Sequence, residues 1–355
     1  MLRVATRLLT LETRRQGTIM WGFGKPKDAN QLVAEGHAFL QSGKAEKAAA
    51  KFQQATAVDP QHAEAWFCLG TIHSATGQLE SAIECYRASA QHAPAERQFL
   101  PLFNMGNALQ ELGRLDTALE IFTLTTQVAP DFADGWINRG RLLDDSGHHA
   151  EAIDCYDKAL ALTPDDVMAL SNRGNSLRSL GRLADARASY EAALKLDSGD
   201  PAALNGLGHC LAVLGQPAEG LKLIDKALEL VLFPPALAER GIVLSLLERH
   251  EEALAATDKA ISLGVDEPAV FNNRGEILAR LNRADEAIQS FDEALRRNPA
   301  YAPAHFGKAR VLCNAEQFRP ALAAIKLYFE HSDGTDDLRP GAEALVSLCR
   351  DAGVE

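Results

Sequence analysis

Residues 133–164 read ADGWINRGRLLDDSGHHAEAIDCYDKALALTP, and this stretch decides the fold. In its first half, Trp136, Gly140 and Leu143 recur at spacings of four and three, which places them on one face of an α-helix. Gly147 then interrupts, where a left-handed backbone conformation would end that helix. Ala152, Tyr156 and Ala159 restore the helical spacing in the second half. Pro164, which has no N–H to donate, closes it. The stretch therefore predicts two antiparallel helices joined by a tight turn.

The same pattern extends in both directions. Aligned on one small residue, the chain gives Gly36, Gly70, Gly106, Gly140, Gly174, Gly208, Gly241 and Gly275, with Ala309 in the ninth place, at steps of 34, 36, 34, 34, 34, 33, 34 and 34 residues. Twelve positions after each marker stand Ala48, Ala82, Ala118, Ala152, Ala186, Gly220, Ala253, Ala287 and Ala321. Four further on come Phe52, Tyr86, Phe122, Tyr156, Tyr190, Ile224, Thr257, Phe291 and Ile325. Turn glycines recur at 43, 77, 113, 147, 181 and 215, and Pro60, Pro94, Pro130, Pro164 and Pro299 close units. Glycine facing alanine is expected to let the two helices of a pair approach closely, with the bulky residues filling space toward neighbouring pairs. One pair cannot bury its own apolar face, so the pairs must stack.

These residues resemble the tetratricopeptide repeat (TPR), a 34-residue pattern of Trp, Leu-Gly, Tyr, Ala, Phe, Ala and Pro. The second unit carries Trp66, Leu69, Gly70, Gly77, Ala82, Tyr86 and Pro94; the fourth carries Trp136, Gly140, Gly147, Ala152, Tyr156, Ala159 and Pro164. The resemblance implies an all-α TPR solenoid, a right-handed superhelix of antiparallel helix pairs whose first helices line a concave groove. The family uses that groove to hold peptides or partner proteins. Nine units are expected over 29–335. Gly220, Thr257 and Ala309 depart from the pattern in the later units.

Two end segments remain. Residues 336–355 are expected to form a capping helix and tail, with Ala344, Leu345, Leu348 and Cys349 on the covered side of a helix running from Pro340 to Arg350. Residues 1–28 form an N-terminal extension outside the repeat, holding Arg3, Arg7, Arg14 and Arg15 but only Glu12 as an acid before Met20. Three readings stand open for it: an extension upstream of a true start at Met20, a transit or membrane-surface segment, or an ordered N-terminal helix.

Composition narrows the function classes. A net charge of -12, from 48 acidic and 36 basic residues, argues against phosphate-backbone binding, which relies on clustered Lys and Arg, so no nucleic-acid partner is expected. The six cysteines form no CxxC pair, which disfavours a disulfide scaffold or zinc site and suits a reducing, cytoplasmic location. No apolar run is long enough to span a bilayer. His148 and His149 read as solvated turn residues, with no metal-binding spacing around them. Cys85 and Cys155 take equivalent core places beside Tyr86 and Tyr156. No catalytic residue, metal site or cofactor is expected, and the reading is of a non-enzyme.

A ligand would be held on the first helices. The residue two before each marker is rotated about 200° from it and is expected to face the groove: Asn104, Asn138, Asn172 and Asn273, with Cys68, Gly206 and Glu239 among the other units. Three consecutive asparagines make a ladder whose amides offer both donor and acceptor to an extended peptide backbone. In this the chain resembles the TPR superhelix of O-linked N-acetylglucosamine transferases, where asparagines hold substrate backbones. One residue earlier stand Phe67, Phe103 and Ile137, as apolar anchors or as packing against the adjacent helix. Asn107, Asn175, Arg141 and Arg178 lie further along the same helices, able to meet polar or acidic ligand groups. The family's carboxylate clamp is matched at Asn107 and Asn138 but not where its cations belong, since Phe103, Met168 and Asn172 stand there.

The expected function is a non-catalytic interaction scaffold for a protein or extended peptide. The alternatives are a regulatory or substrate-recruiting subunit of a separately encoded enzyme, and self-assembly through a solenoid end. The sequence leaves the oligomeric state open.

Overall fold

The computed structural model describes residues 27–232, 234–332 and 337–354. Among them are 19 α-helices, each of 13 or 14 residues, and no strand. In chain order these are α1 (Ala29–Gln41), α2 (Ala45–Val58), α3 (Ala63–Ala75), α4 (Leu79–His92), α5 (Phe99–Glu111), α6 (Leu115–Val128), α7 (Ala133–Asp145), α8 (His149–Leu162), α9 (Val167–Ser179) and α10 (Leu183–Leu196). There follow α11 (Pro201–Val213), α12 (Pro217–Leu230), α13 (Pro234–Leu246), α14 (His250–Ser262), α15 (Pro268–Arg280), α16 (Ala284–Arg297), α17 (Ala302–Asn314), α18 (Phe318–His331) and α19 (Arg339–Asp351). Odd and even helices from α1 to α18 are the first and second members of nine pairs. The expectations placed on residues 1–26 lie outside the described residues.

The chain divides into two compact units, one ending at Ser176 and one beginning at Leu177, within α9. In the first, Leu32, Val33, Phe52, Ala65, Leu69 and Cys85 form one core cluster and Tyr86, Leu102, Leu109 and Phe122 anchor the next. In the second, Ile224, Leu244, Phe271, Ile277 and Phe291 share a core. Second helices pack on their own first helix and on the first helix of the following pair, and successive first helices also touch, as in α1 with α3 and α11 with α13. Within each unit, first helices thus lie side by side.

The marker glycine makes room for a ring rather than for alanine, which corrects the sequence expectation. A Cβ on Gly106 would stand 2.7 Å from the Phe122 ring, and one on Gly36 would stand 2.5 Å from Phe52. The aromatic four residues beyond the alanine therefore lies directly over the marker of its own pair. The alanines, such as Ala118 and Ala152, are fully buried. Direct backbone approach occurs where the ring is replaced by Ile224: a Cβ on Gly220 would meet the Gly208 carbonyl at 2.3 Å.

The turn after each first helix is left-handed throughout. Gly43 to Gly215 hold φ between 72° and 89° there, and in the last three pairs Glu248, Asn282 and Glu316 hold the same place at φ 59°, 58° and 57°. Three of the closing prolines also gain a side-chain partner. Trp66 donates its indole N–H to the Pro60 carbonyl at 2.8 Å, Trp136 does the same to Pro130 at 2.9 Å, and His305, four before Ala309, bonds the Pro299 carbonyl at 2.9 Å.

The last helix, α19, covers the ninth pair through a stripe that includes Leu345 and Cys349 as expected but not Ala344 or Leu348. Ala342 and Cys349 are buried and Leu345 and Val346 half-buried against Leu312, Cys313 and Ile325, whereas Ala344 and Leu348 are exposed. Spacings of three, four and seven from Ala342 give one continuous stripe. Ala344 falls off it by two residues, and Leu348, six from Ala342, lies at the stripe's exposed flank. Cys313 and Cys349 bring their sulfur atoms to 3.7 Å. Burial and then the Cys349 thiol push the Cys313 thiol up to about 12.

Candidate functional site

Within each unit, the packing of first helices brings residues of one pair beside those of the next. At three places the residue one after a marker meets the residue two before the next marker. His37 approaches the Cys68 sulfur at 3.9 Å, Asn138 donates its amide N–H to Asn107 Oδ1 at 2.9 Å, and His209 Nδ1 bonds Glu239 at 2.7 Å. Further along the same helices, Arg141 donates to Gln110 at 2.6 Å, and the Ser176 hydroxyl donates to Asp144 at 2.8 Å. The face is thus a row of bonds between pairs.

This arrangement sorts the expected site residues. Asn107 and Asn138 are brought together as a bonded pair. Asn104, Asn172 and Asn273 are half-buried and their side chains have no partner among the described residues. Asn175 is engaged. Arg141 is tied to Gln110. Arg178 is not a free cation: it donates to Glu239 at 3.0 Å and also bonds Tyr190.

The three apolar candidates stand 60° from the marker, on the flank facing the second helices. Ile137 is only 4% exposed and belongs to the core, so it is not available as an anchor. Phe103 is half-buried between Phe122 at 5.9 Å and Phe132 at 5.0 Å. Phe67 is half-buried, 6.0 Å from Tyr86.

Glu239 and His209 were not singled out as site residues from the sequence. Arg178, Glu239 and His209 come from the fifth, seventh and sixth pairs and form one half-buried polar cluster. Gly206, in the sixth pair's groove position, makes this possible, since a Cβ there would stand 2.3 to 2.6 Å from the tip of the Tyr190 ring. Burial would raise the Glu239 carboxyl, but the bonds from His209 and Arg178 outweigh it and hold the group below its ordinary range. Burial keeps the Tyr190 phenol protonated. The available signal was an acid in the asparagine position, 30 residues after the histidine that follows the preceding marker.

The tetratricopeptide repeat family matches residues 33–96, 171–236, 238–302 and 272–328, more than half of the chain, and further descriptions of the same repeat match 133–166 and 100–122. The chain belongs to the tetratricopeptide repeat family. Among solved structures, a TPR protein from Parabacteroides merdae is similar at 19% identity and a TM-score of 0.57, covering 71% of this chain and 99% of its own. The Cut9–Hcn1 hetero-tetramer of APC/C is similar at 17% identity and a TM-score of 0.60, covering 79% of this chain and 55% of that one. At these identities the likeness is one of fold. No curated protein gives a significant match.

The histidine turn of this TPR chain differs from expectation in one half. His148 is exposed, whereas His149 is half-buried and bonds Asp144 at 2.6 Å, the same carboxylate that receives Ser176. Among the described residues no three His, Cys, Asp or Glu side chains gather so as to hold a metal ion, and no helix is long and apolar enough to cross a membrane.

Proposed function

We propose that this TPR chain is a non-catalytic interaction scaffold that holds a partner protein or extended peptide along its first helices. The observation that carries this reading is the register of Asn104, Asn138 and Asn172 in consecutive pairs, with Asn104 and Asn172 keeping unpartnered amides. Asn138 has its amide oriented by Asn107 and retains a carbonyl and a second N–H. Each amide can match the alternating donors and acceptors of a peptide backbone, as the asparagines of the similar transferase superhelix do.

Three such bonds at about 1 kcal/mol net supply about 3 kcal/mol, while a micromolar complex needs about 8. Apolar contacts must therefore add the larger share. Isolation of a partner from the native cell by affinity capture and mass spectrometry, followed by titration against the purified chain, tests the reading. Changing Asn104, Asn138 and Asn172 together to Ala is expected to weaken binding about 100-fold; undiminished affinity would remove the groove assignment.

A further inference from the structure

The step of 36 residues from the second to the third marker is the longest in the chain. Its extra length falls in the link after α4, where Ala95–Arg97 form a 3-10 turn. The next junction shows how such a place is filled from within. Phe132, the residue before α7, sets its ring 4.9 Å from Phe99 and 5.0 Å from Phe103. Those two residues stand seven and three before Gly106. Their counterparts before Gly70 are Ala63 and Phe67.

At the earlier junction the residue in Phe132's place is Gln98, and its amide donates to the Ala93 carbonyl at 3.1 Å. A cavity of about 440 Å³ is left open, walled by Ala63, Phe67, Leu100 and Pro101. That volume falls in the range of about 300–1,000 Å³ typical of ligand sites. Two charged residues also line it. Glu64 is already bonded by His37 at 3.0 Å, whereas Arg97 is exposed and has no acidic partner among the described residues.

We propose that this pocket takes an aromatic side chain of a bound peptide, whose neighbouring residue places a carboxylate on Arg97. The ring would lie against Phe67 and Ala63 as Phe132 lies against Phe103 and Phe99, supplying from outside what the next junction supplies from the chain. Arg97 favours an acidic neighbour by charge, and Glu64 disfavours a second acid on the opposite side. The proposal rests on the peptide-binding reading and adds the residue type that the groove selects.

The test is selection of a random decapeptide display library on the full chain, with anisotropy titration of the enriched peptides. An aromatic residue next to Asp or Glu is expected to be enriched. Replacing that aromatic by Ala should weaken binding at least about tenfold, and Ala63→Phe, which fills the pocket, should do the same. Arg97→Glu should abolish the preference for the acid; Arg97 is exposed, so this variant serves if Ala63→Phe loses its helical circular dichroism. Enriched peptides that bind the native chain and both variants equally would overturn the pocket. If their binding still falls in the Asn104, Asn138 and Asn172 variant, the groove reading survives that failure. Peptides indifferent to all of these changes, or an empty selection, would overturn both.

Discussion

Glu239 shows how much one first-helix residue can change. At the same register Asn138 carries no charge and needs only a neighbouring amide. Glu239, 16% exposed, is balanced by Arg178 from two pairs earlier and His209 from the pair between. Removing its charge leaves the Arg178 guanidinium partly buried without its acid. A fully buried pair broken this way costs about 3–5 kcal/mol, and with Arg178 30% exposed about 2 kcal/mol is expected for Glu239→Gln. Urea unfolding followed by circular dichroism measures it. An unchanged midpoint would mean that the cluster adds nothing to the second unit. The acid's position was legible in the sequence, but its partners were not, because Arg178 reaches Glu239 across 61 residues through the space that Gly206 leaves open.

Among the helical elements, the turns between paired helices are the most regular part and also hold the clearest strain. Gly43 in the first pair and Glu316 in the ninth have the same left-handed conformation, but only glycine adopts it without a steric penalty. The sequence pattern ended at Gly215, so the last three turns were not readable from glycine spacing alone. Conformation there is imposed by the helices on either side: Gln317 N–H bonds the Leu312 carbonyl at 2.9 Å, as Lys44 N–H bonds Phe39. Replacing Glu316 by Gly is expected to raise stability by about 1 kcal/mol, the usual left-handed penalty for an L-residue less part of glycine's entropic cost. Thermal melting should show an increase; a decrease would mean that the Glu316 side chain contributes more than its backbone costs. The capping helix was likewise predicted as an element but not in its rotation. Its covered stripe runs through Ala342, Leu345, Val346 and Cys349 because the ninth pair presents Leu312, Cys313 and Ile325 to that side.

Across the whole molecule, an acidic chain with a net charge of -12 gains proton sensitivity from a few paired or buried groups. Glu239, Glu252, Glu286 and Glu293 have lowered carboxyl values, the last three through bonds from Arg249, Arg283 and Arg297. Their stabilisation is present above the ordinary carboxyl value of 4.5 and is lost as pH falls through the lowered folded values. His305 is held below its ordinary 6.5 by burial, despite its bond to Pro299. Its unfolded form takes up the proton first, so stability is complete above about pH 6.5 and declines below it toward the folded value. Loss of stability is therefore expected to begin as pH falls below about 6.5, above the pH at which the carboxylates begin to lose theirs. Trp66 and Trp136 make the equivalent bond without titrating, so His305→Trp should flatten that early decline. Melting temperatures from pH 8 to 5 decide it, and an identical slope in both proteins would exclude His305 as the source.

The sequence by itself determined the nine pairs, their order, the position of each marker and which first-helix positions are equivalent, because helical spacing and stacking are repeated in every unit. It also placed Asn104, Asn138 and Asn172 in equivalent positions. Only the tertiary structure decided what each of these first-helix residues meets. It joined Asn138 to Asn107, neutralised Arg178, placed Ile137 in the core and left the cavity beside Phe67 open. Periodicity fixes direction within a helix, whereas partners depend on side chains brought together from neighbouring pairs about 30 or 60 residues apart.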